Sequence, residues 1–109
     1  MRGEAQAKNE ELFRNVNERI ETLSESVARD DPLMEYLCEC DSAGCYETVR
    51  ATRVEYESVR AVATHFIVLA GHEDPRVERV ALSNDRFLVV EKQGEAARDA
   101  EETDPRAGG

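Results

Sequence analysis

Three cysteines between positions 38 and 45 constrain this 109-residue chain more than any other feature, and it contains no further ones. They read Cys38-Glu39-Cys40, then four residues, then Cys45. An odd number of thiols does not close into a disulfide framework, and in a reducing compartment such a cluster suits a metal better. Zinc takes four soft or borderline ligands in a tetrahedron, and three thiolates with one imidazole is a common structural set. In a flat strand Cys38 and Cys40 stand too far apart to share one ion, so the chain is expected to curl there. Asp41-Ser42-Ala43-Gly44 has the composition of a turn and would bring Cys45 back to the pair. The competing reading is three buried thiols with no metal, because cysteine also serves as a small buried hydrophobe.

The fourth ligand must be one of two histidines. His72 lies in Gly71-His72-Glu73-Asp74-Pro75, at the mouth of an apolar segment, where Gly71 supplies backbone freedom. His65 opens the same segment, so only one of the two can reach the cysteines. His72 is the expected ligand and His65 its rival. A set of Cys38, Cys40, Cys45 and His72 would hold one structural zinc ion and leave it no open position for water, which a catalytic zinc needs.

Around this cluster the pattern predicts an α+β domain. Phe13, Val16, Ile20, Leu23 and Val27 step by three and four, predicting a long N-terminal amphipathic helix from Asn9 to near Arg29, ended by Asp30-Asp31-Pro32. Residues 1–8 are expected to fray. Met34, Tyr36, Cys38 and Cys40 alternate with Glu35 and Glu39, predicting a strand over 33–40 with both glutamates on the opposite face; 46–50 returns as its hairpin partner. Thr52-Arg53-Val54-Glu55 matches a capping box for a helix over 53–62 whose inner face would be Val54, Tyr56, Val59 and Val62. His65 to Ala70 reads as a strand buried on both faces. Asp74-Pro75 followed by Val77, Val80 and Ala81 predicts a helix over 75–83, and 86–92 a last strand. The expected architecture is thus a long N-terminal helix (1–31), a zinc-stapled core (32–92) in the order β-β-α-β-α-β with one sheet of about four strands, and a disordered acidic tail (93–109) with five acidic residues against two arginines. A core this small often needs a staple.

Charge narrows the choice of partners. With 24 acidic and 14 basic residues the formal net charge is −10. Nucleic-acid affinity comes mainly from Lys and Arg displacing counterions, so free DNA or RNA is not an expected partner. The arginines at 50, 53, 60, 76, 79 and 86 are scattered rather than clustered, although a shared face would make a zinc knuckle. No apolar run approaches a membrane span and the N-terminus is polar, so the expected location is cytoplasmic, with no membrane association. No glycine-rich phosphate loop, G-x-S-x-G or H-E-x-x-H is present, and we assign no catalytic or organic-cofactor-binding residue.

The segments Asn9-Glu10-Glu11-Leu12-Phe13-Arg14-Asn15-Val16-Asn17-Glu18-Arg19-Ile20, Leu37-Cys38-Glu39-Cys40, Cys45, Glu55-Tyr56-Glu57, Val59-Arg60, Gly71-His72-Glu73, Val89-Val90-Glu91-Lys92 and Glu102-Thr103-Asp104-Pro105-Arg106 resemble a family of small uncharacterised proteins of high-GC Gram-positive bacteria. The resemblance spans nearly the whole chain. It departs at Ala61-Val62-Ala63, where the family has an acidic residue and proline. It implies that the three cysteines and His72 form one motif, favouring His72 over His65, and it implies no activity.

The leading expectation is therefore a zinc-stabilised protein-interaction or regulatory module. Its partner would be another protein, or a second copy, meeting the N-terminal helix. A thiol-based redox or metal-responsive switch ranks second, because Glu39 and Asp41 beside the thiols would raise their pKa and slow oxidation. A metal-dependent hydrolase ranks last, for want of an open metal position.

Overall fold

Phe66-Ile67-Val68 offers no polar side chain to solvent, and all three residues are buried at the centre of the molecule. The computed structural model describes residues 4–25, 32–40 and 45–106, with side chains described within 11–23, 32–40 and 45–106. In chain order the elements are α1 (Glu4–Glu25), β1 (Met34–Leu37), β2 (Thr48–Ala51), α2 (Arg53–Arg60), β3 (His65–Val68), β4 (Glu78–Ser83), β5 (Leu88–Lys92) and α3 (Gly94–Glu102). The fold is mixed α/β, but the single sheet of about four strands is not what forms. Among the described residues there are two antiparallel sheets, the hairpin β1–β2 and a three-stranded sheet in the order β3-β5-β4.

The split occurs at the cysteines. Met34 pairs with Ala51 and Leu37 with Thr48, as a hairpin requires. The Cys38 N–H still donates to the Glu47 carbonyl at 2.9 Å, but the next N–H, of Glu39, donates to the Ile67 carbonyl at 2.8 Å. The chain therefore leaves β2 and stitches onto β3 within two residues. This is the curl that the Cys38–Cys40 spacing demands.

The helix expected over 75–83 is instead a single turn followed by strand β4. Asp74 does cap that turn. Its carbonyl accepts from the N–H groups of Val77 and Glu78, and its carboxylate accepts from the Arg76 backbone and guanidinium. Beyond it the open edge of β5 and a buried charge claim the segment, because Glu78 reaches inward to pair with Lys92. Arg79 to Ser83 are all exposed, so this edge strand shows no period-two signal to compete with the helical one. A bulge between Val80 and Leu82 interrupts its register, and Asn84 Oδ1 closes the hairpin by accepting from the N–H groups of Arg86 and Phe87.

Both early helices turn differently from their apolar pattern. α1 starts at Glu4, ahead of the expected Asn9, while its predicted end at 30–32 falls partly outside the described residues, as does Val27. Phe13 is buried and Ile20 packs against the core, yet Leu12, Val16 and Leu23 are 56%, 37% and 62% exposed. The inward positions between them are Arg14, Asn17 and Glu21. α2 has the predicted capping box, with Thr52 Oγ1 accepting from the Glu55 N–H at 3.0 Å and Glu55 Oε1 accepting from the Thr52 N–H at 2.8 Å. It buries Tyr56, Val59 and Arg60, whereas Val54 and Val62 face solvent.

The acidic tail expected to be disordered is ordered through residue 106. α3 packs on β5 and buries Ala100. The buried Arg14 guanidinium donates to the Ala100 carbonyl at 2.9 Å and to Thr103 Oγ1 at 3.1 Å. Arg60 pairs with Asp104, and Arg106 grips Glu18 and Glu57 together. The two ends of the chain are thus locked to each other by charged side chains.

Candidate metal centre

Three elements deliver the four side chains. Cys38 and Cys40 leave the end of β1, Cys45 precedes β2, and His72 follows β3. Their donor atoms all lie within 4.8 Å of one another, and together they could hold a metal ion. His72 Nδ1 is 3.7 Å from Cys38 Sγ and 3.5 Å from Cys45 Sγ. Tetrahedral bonds of roughly 2.3 Å to sulfur and 2.0–2.1 Å to nitrogen would separate S and N by roughly 3.6 Å. These separations match that tetrahedron.

Local backbone geometry aims the imidazole. Gly71 has φ +91°, a left-handed conformation that side chains other than glycine rarely adopt; space is not the reason, since nothing lies within 4 Å of a Cβ built there. The turn is closed by the His72 N–H donating to the Leu69 carbonyl at 3.0 Å and the Gly71 N–H to Glu73 Oε1 at 2.7 Å. On its far side, His72 Nε2 lies 3.4 Å from Glu47 Oε2. A carboxylate at the second nitrogen fixes the tautomer and ring orientation of a ligating histidine. The Leu69 N–H donates to Cys38 Sγ at 3.3 Å, a contact that favours a thiolate.

Cys38 and Cys40 are buried and Cys45 half-buried. The neighbouring Cys40 thiol, and then burial, push the Cys38 thiol well above its ordinary range. Burial does the same for Cys45. Crowded thiols of this kind hold their protons until a cation displaces them, so metal binding here releases protons.

His65 stands apart from the cluster, with Nε2 3.3 Å from Glu91 Oε2 on β5. Glu39 lies on the face opposite Cys38 and Cys40, as the alternation predicts, and is fully buried there, with Oε2 accepting from Asn17 Nδ2 and from the Tyr56 hydroxyl, each at 2.8 Å. Oε1 accepts from the Ile67 N–H at 3.1 Å. Burial raises the Glu39 pKa and these donors oppose the rise. Asp41 lies outside the described residues. Asn17, Glu39, Tyr56 and Glu47 were all missed as site residues. The one available signal was Asn17, a weak helix former between Phe13 and Ile20 on an apolar stripe.

Of the six arginines singled out in the sequence, Arg53, Arg60, Arg76, Arg79 and Arg86 are each paired, with Glu21, Asp104, Asp74, Glu91 and Glu55 respectively. Among the described residues no helix is long and apolar enough to cross a membrane. No protein-family model, no curated protein and no solved structure matches this chain.

Proposed function

We propose that Cys38, Cys40, Cys45 and His72 hold one zinc ion as a structural staple, and that the chain works as a zinc-stabilised protein-interaction or regulatory module. The observation that carries this reading is the convergence of four donor atoms within 4.8 Å. Three soft thiolates and one imidazole favour zinc over the oxygen-seeking divalent ions. Four protein ligands close the coordination sphere, which speaks for a structural ion and against a metal-dependent hydrolase. The carboxylate behind His72 supports the same reading.

The interaction role is supported by the outward Leu12, Val16 and Leu23 of α1, an apolar stripe on a molecule of net charge −10. A protein surface with basic groups around an apolar strip complements it.

Metal analysis of protein purified without added metal tests the staple, and one zinc per chain is the expected result. At free zinc a thousandfold above Kd the bound ion contributes about 4 kcal/mol, so a strong chelator should lower Tm by roughly 15–30 °C. Absence of stoichiometric metal, or a transition unmoved by chelator, overturns the reading. A Leu12→Glu, Leu23→Glu chain that keeps every partner of the wild type removes the interaction role.

A further inference from the structure

We propose that Asn17 and Glu39 make docking of the N-terminal helix conditional on metal in the cysteine–histidine cluster. The inference rests on the reading of that cluster as a metal site. Residues 37–40 present two faces. Cys38 and Cys40 turn to the cluster, and Glu39 between them turns the other way, toward α1 and α2. Asn17 grips this segment from both sides. Its Nδ2 donates to the Leu37 carbonyl and to Glu39 Oε2, each at 2.8 Å, and its Oδ1 accepts from the Leu37 N–H at 2.7 Å. Asn17 and Glu39 are both 0% exposed. A rotation of the 38–40 peptides that relaxed the ligand geometry would swing Glu39 away from Asn17, Tyr56 and Ile67 together. A buried polar network left half satisfied is worse than none, because each orphaned group keeps its full desolvation cost.

α1 has little apolar contact to fall back on. Its buried described side chains are Phe13, Arg14, Asn17 and Glu21, of which only Phe13 is apolar, with Ile20 partly buried against the core. Phe13 itself meets Tyr46, the residue after Cys45, at 5.8 Å between ring centroids. One polar anchor of α1, Asn17, and its buried apolar anchor, Phe13, thus run through residues adjacent to cluster cysteines, whereas Arg14 and Glu18 tie the helix to α3 and to Arg106. The three-stranded sheet depends on that segment less: Ile67 exchanges hydrogen bonds with Glu39, but Phe66, Ile67 and Val68 also stand in register with Val90, Val89 and Leu88 and are buried with them. Loss of the ion therefore loosens α1 at Phe13 and Asn17 while the sheet persists, and lets Phe13 and Ile20 join Leu12, Val16 and Leu23 in meeting a partner. Coupling of this kind is reciprocal: weakening the grip of Asn17 must weaken metal affinity. Asn17, Glu39 and Tyr56 are positioning residues, because none is itself a member of the ligand set.

The test uses the full chain, with zinc affinity measured by competition against a chromophoric chelator and amide hydrogen exchange followed with and without zinc. Asn17→Ala should bind zinc roughly 10–100-fold more weakly, the range for loss of a group supporting a metal ligand, and Tyr56→Phe, which deletes one donor to Glu39, several-fold more weakly. Leu88→Ala, a core change on β5 that removes none of the hydrogen bonds joining Asn17, Glu39 and Tyr56, should stay within about threefold of wild type. Without zinc, α1 amides should lose protection while those of β3 and β5 keep theirs. Wild-type affinity in Asn17→Ala, or α1 protection indifferent to zinc, overturns the inference. So does protection lost equally from α1 and β5, which would mean global unfolding. If Asn17→Ala does not fold, unchanged affinity in Tyr56→Phe overturns it alone. A wild-type chain that binds no zinc overturns the metal reading itself, whereas zinc binding with an unlinked α1 overturns only the coupling.

Discussion

In the three-stranded sheet, Phe66, Ile67 and Val68 stand in register with Val90, Val89 and Leu88, and all six are buried. In the junction where α1, the β1–β2 hairpin and α2 meet, the buried side chains include Arg14, Asn17, Glu21, Glu39 and Arg60. Apolar burial is non-directional and survives small shifts of its parts. Buried polar groups need every partner in position and are destabilising as soon as one is lost. The centre of the sheet is therefore held by apolar burial, and the junction is the part on whose order the proposed ion would act.

The largest expected effect lies where the two regions touch. The Arg14 guanidinium lies 4.6 Å and the Lys92 ammonium 5.1 Å from the Phe66 ring centroid. Phe66→Ala should cost about 3–5 kcal/mol in urea unfolding, the range for removing a buried aromatic. A cost under about 1 kcal/mol, the middle of the range for ordinary substitutions, would show that apolar burial does not hold the sheet.

A smaller effect concerns the rivet between the regions. Arg86, beside the β4–β5 turn, donates to both carboxylate oxygens of Glu55 at 2.9 and 2.7 Å and to the Arg50 carbonyl at 3.0 Å. These guanidinium bonds are the main cause that holds the Glu55 carboxyl at about 2, below its ordinary 4.5. A carboxylate depressed in the folded state stabilises fully above its unfolded value and loses that contribution as pH falls toward its folded one. Arg86→Met should therefore have a lower urea midpoint than wild type at pH 6, and the gap should narrow between pH 4.5 and about 2. A gap that stays constant with pH would remove the rivet from the account.

The smallest effect is expected on the exposed edge of the same sheet. Leu82 on β4 is 53% exposed, so Leu82→Lys should change stability by no more than about 0.5 kcal/mol. A larger loss would mean that the edge is covered in solution, which equilibrium sedimentation would show as a change in mass.

What the sequence by itself determined was local. The capping box at Thr52 and Glu55, the hairpin either side of the cysteines, the buried run after His65 and the grouping of Cys38, Cys40 and Cys45 all follow from neighbouring residues and short spacings, whereas His72, 27 positions beyond Cys45, was brought beside them by the fold. Tertiary structure alone decided which face of α1 turns inward, that Glu78–Ser83 extends as a strand, and that the acidic tail folds back. Those outcomes rest on partners far apart in the chain: Asn17 with Glu39 across 22 positions, Arg14 with Ala100 across 86, and Arg106 with Glu18 across 88. Apolar periodicity marks side chains that gain by leaving water. It is silent on a charged or amide group that becomes buriable only when the folded chain brings it a partner.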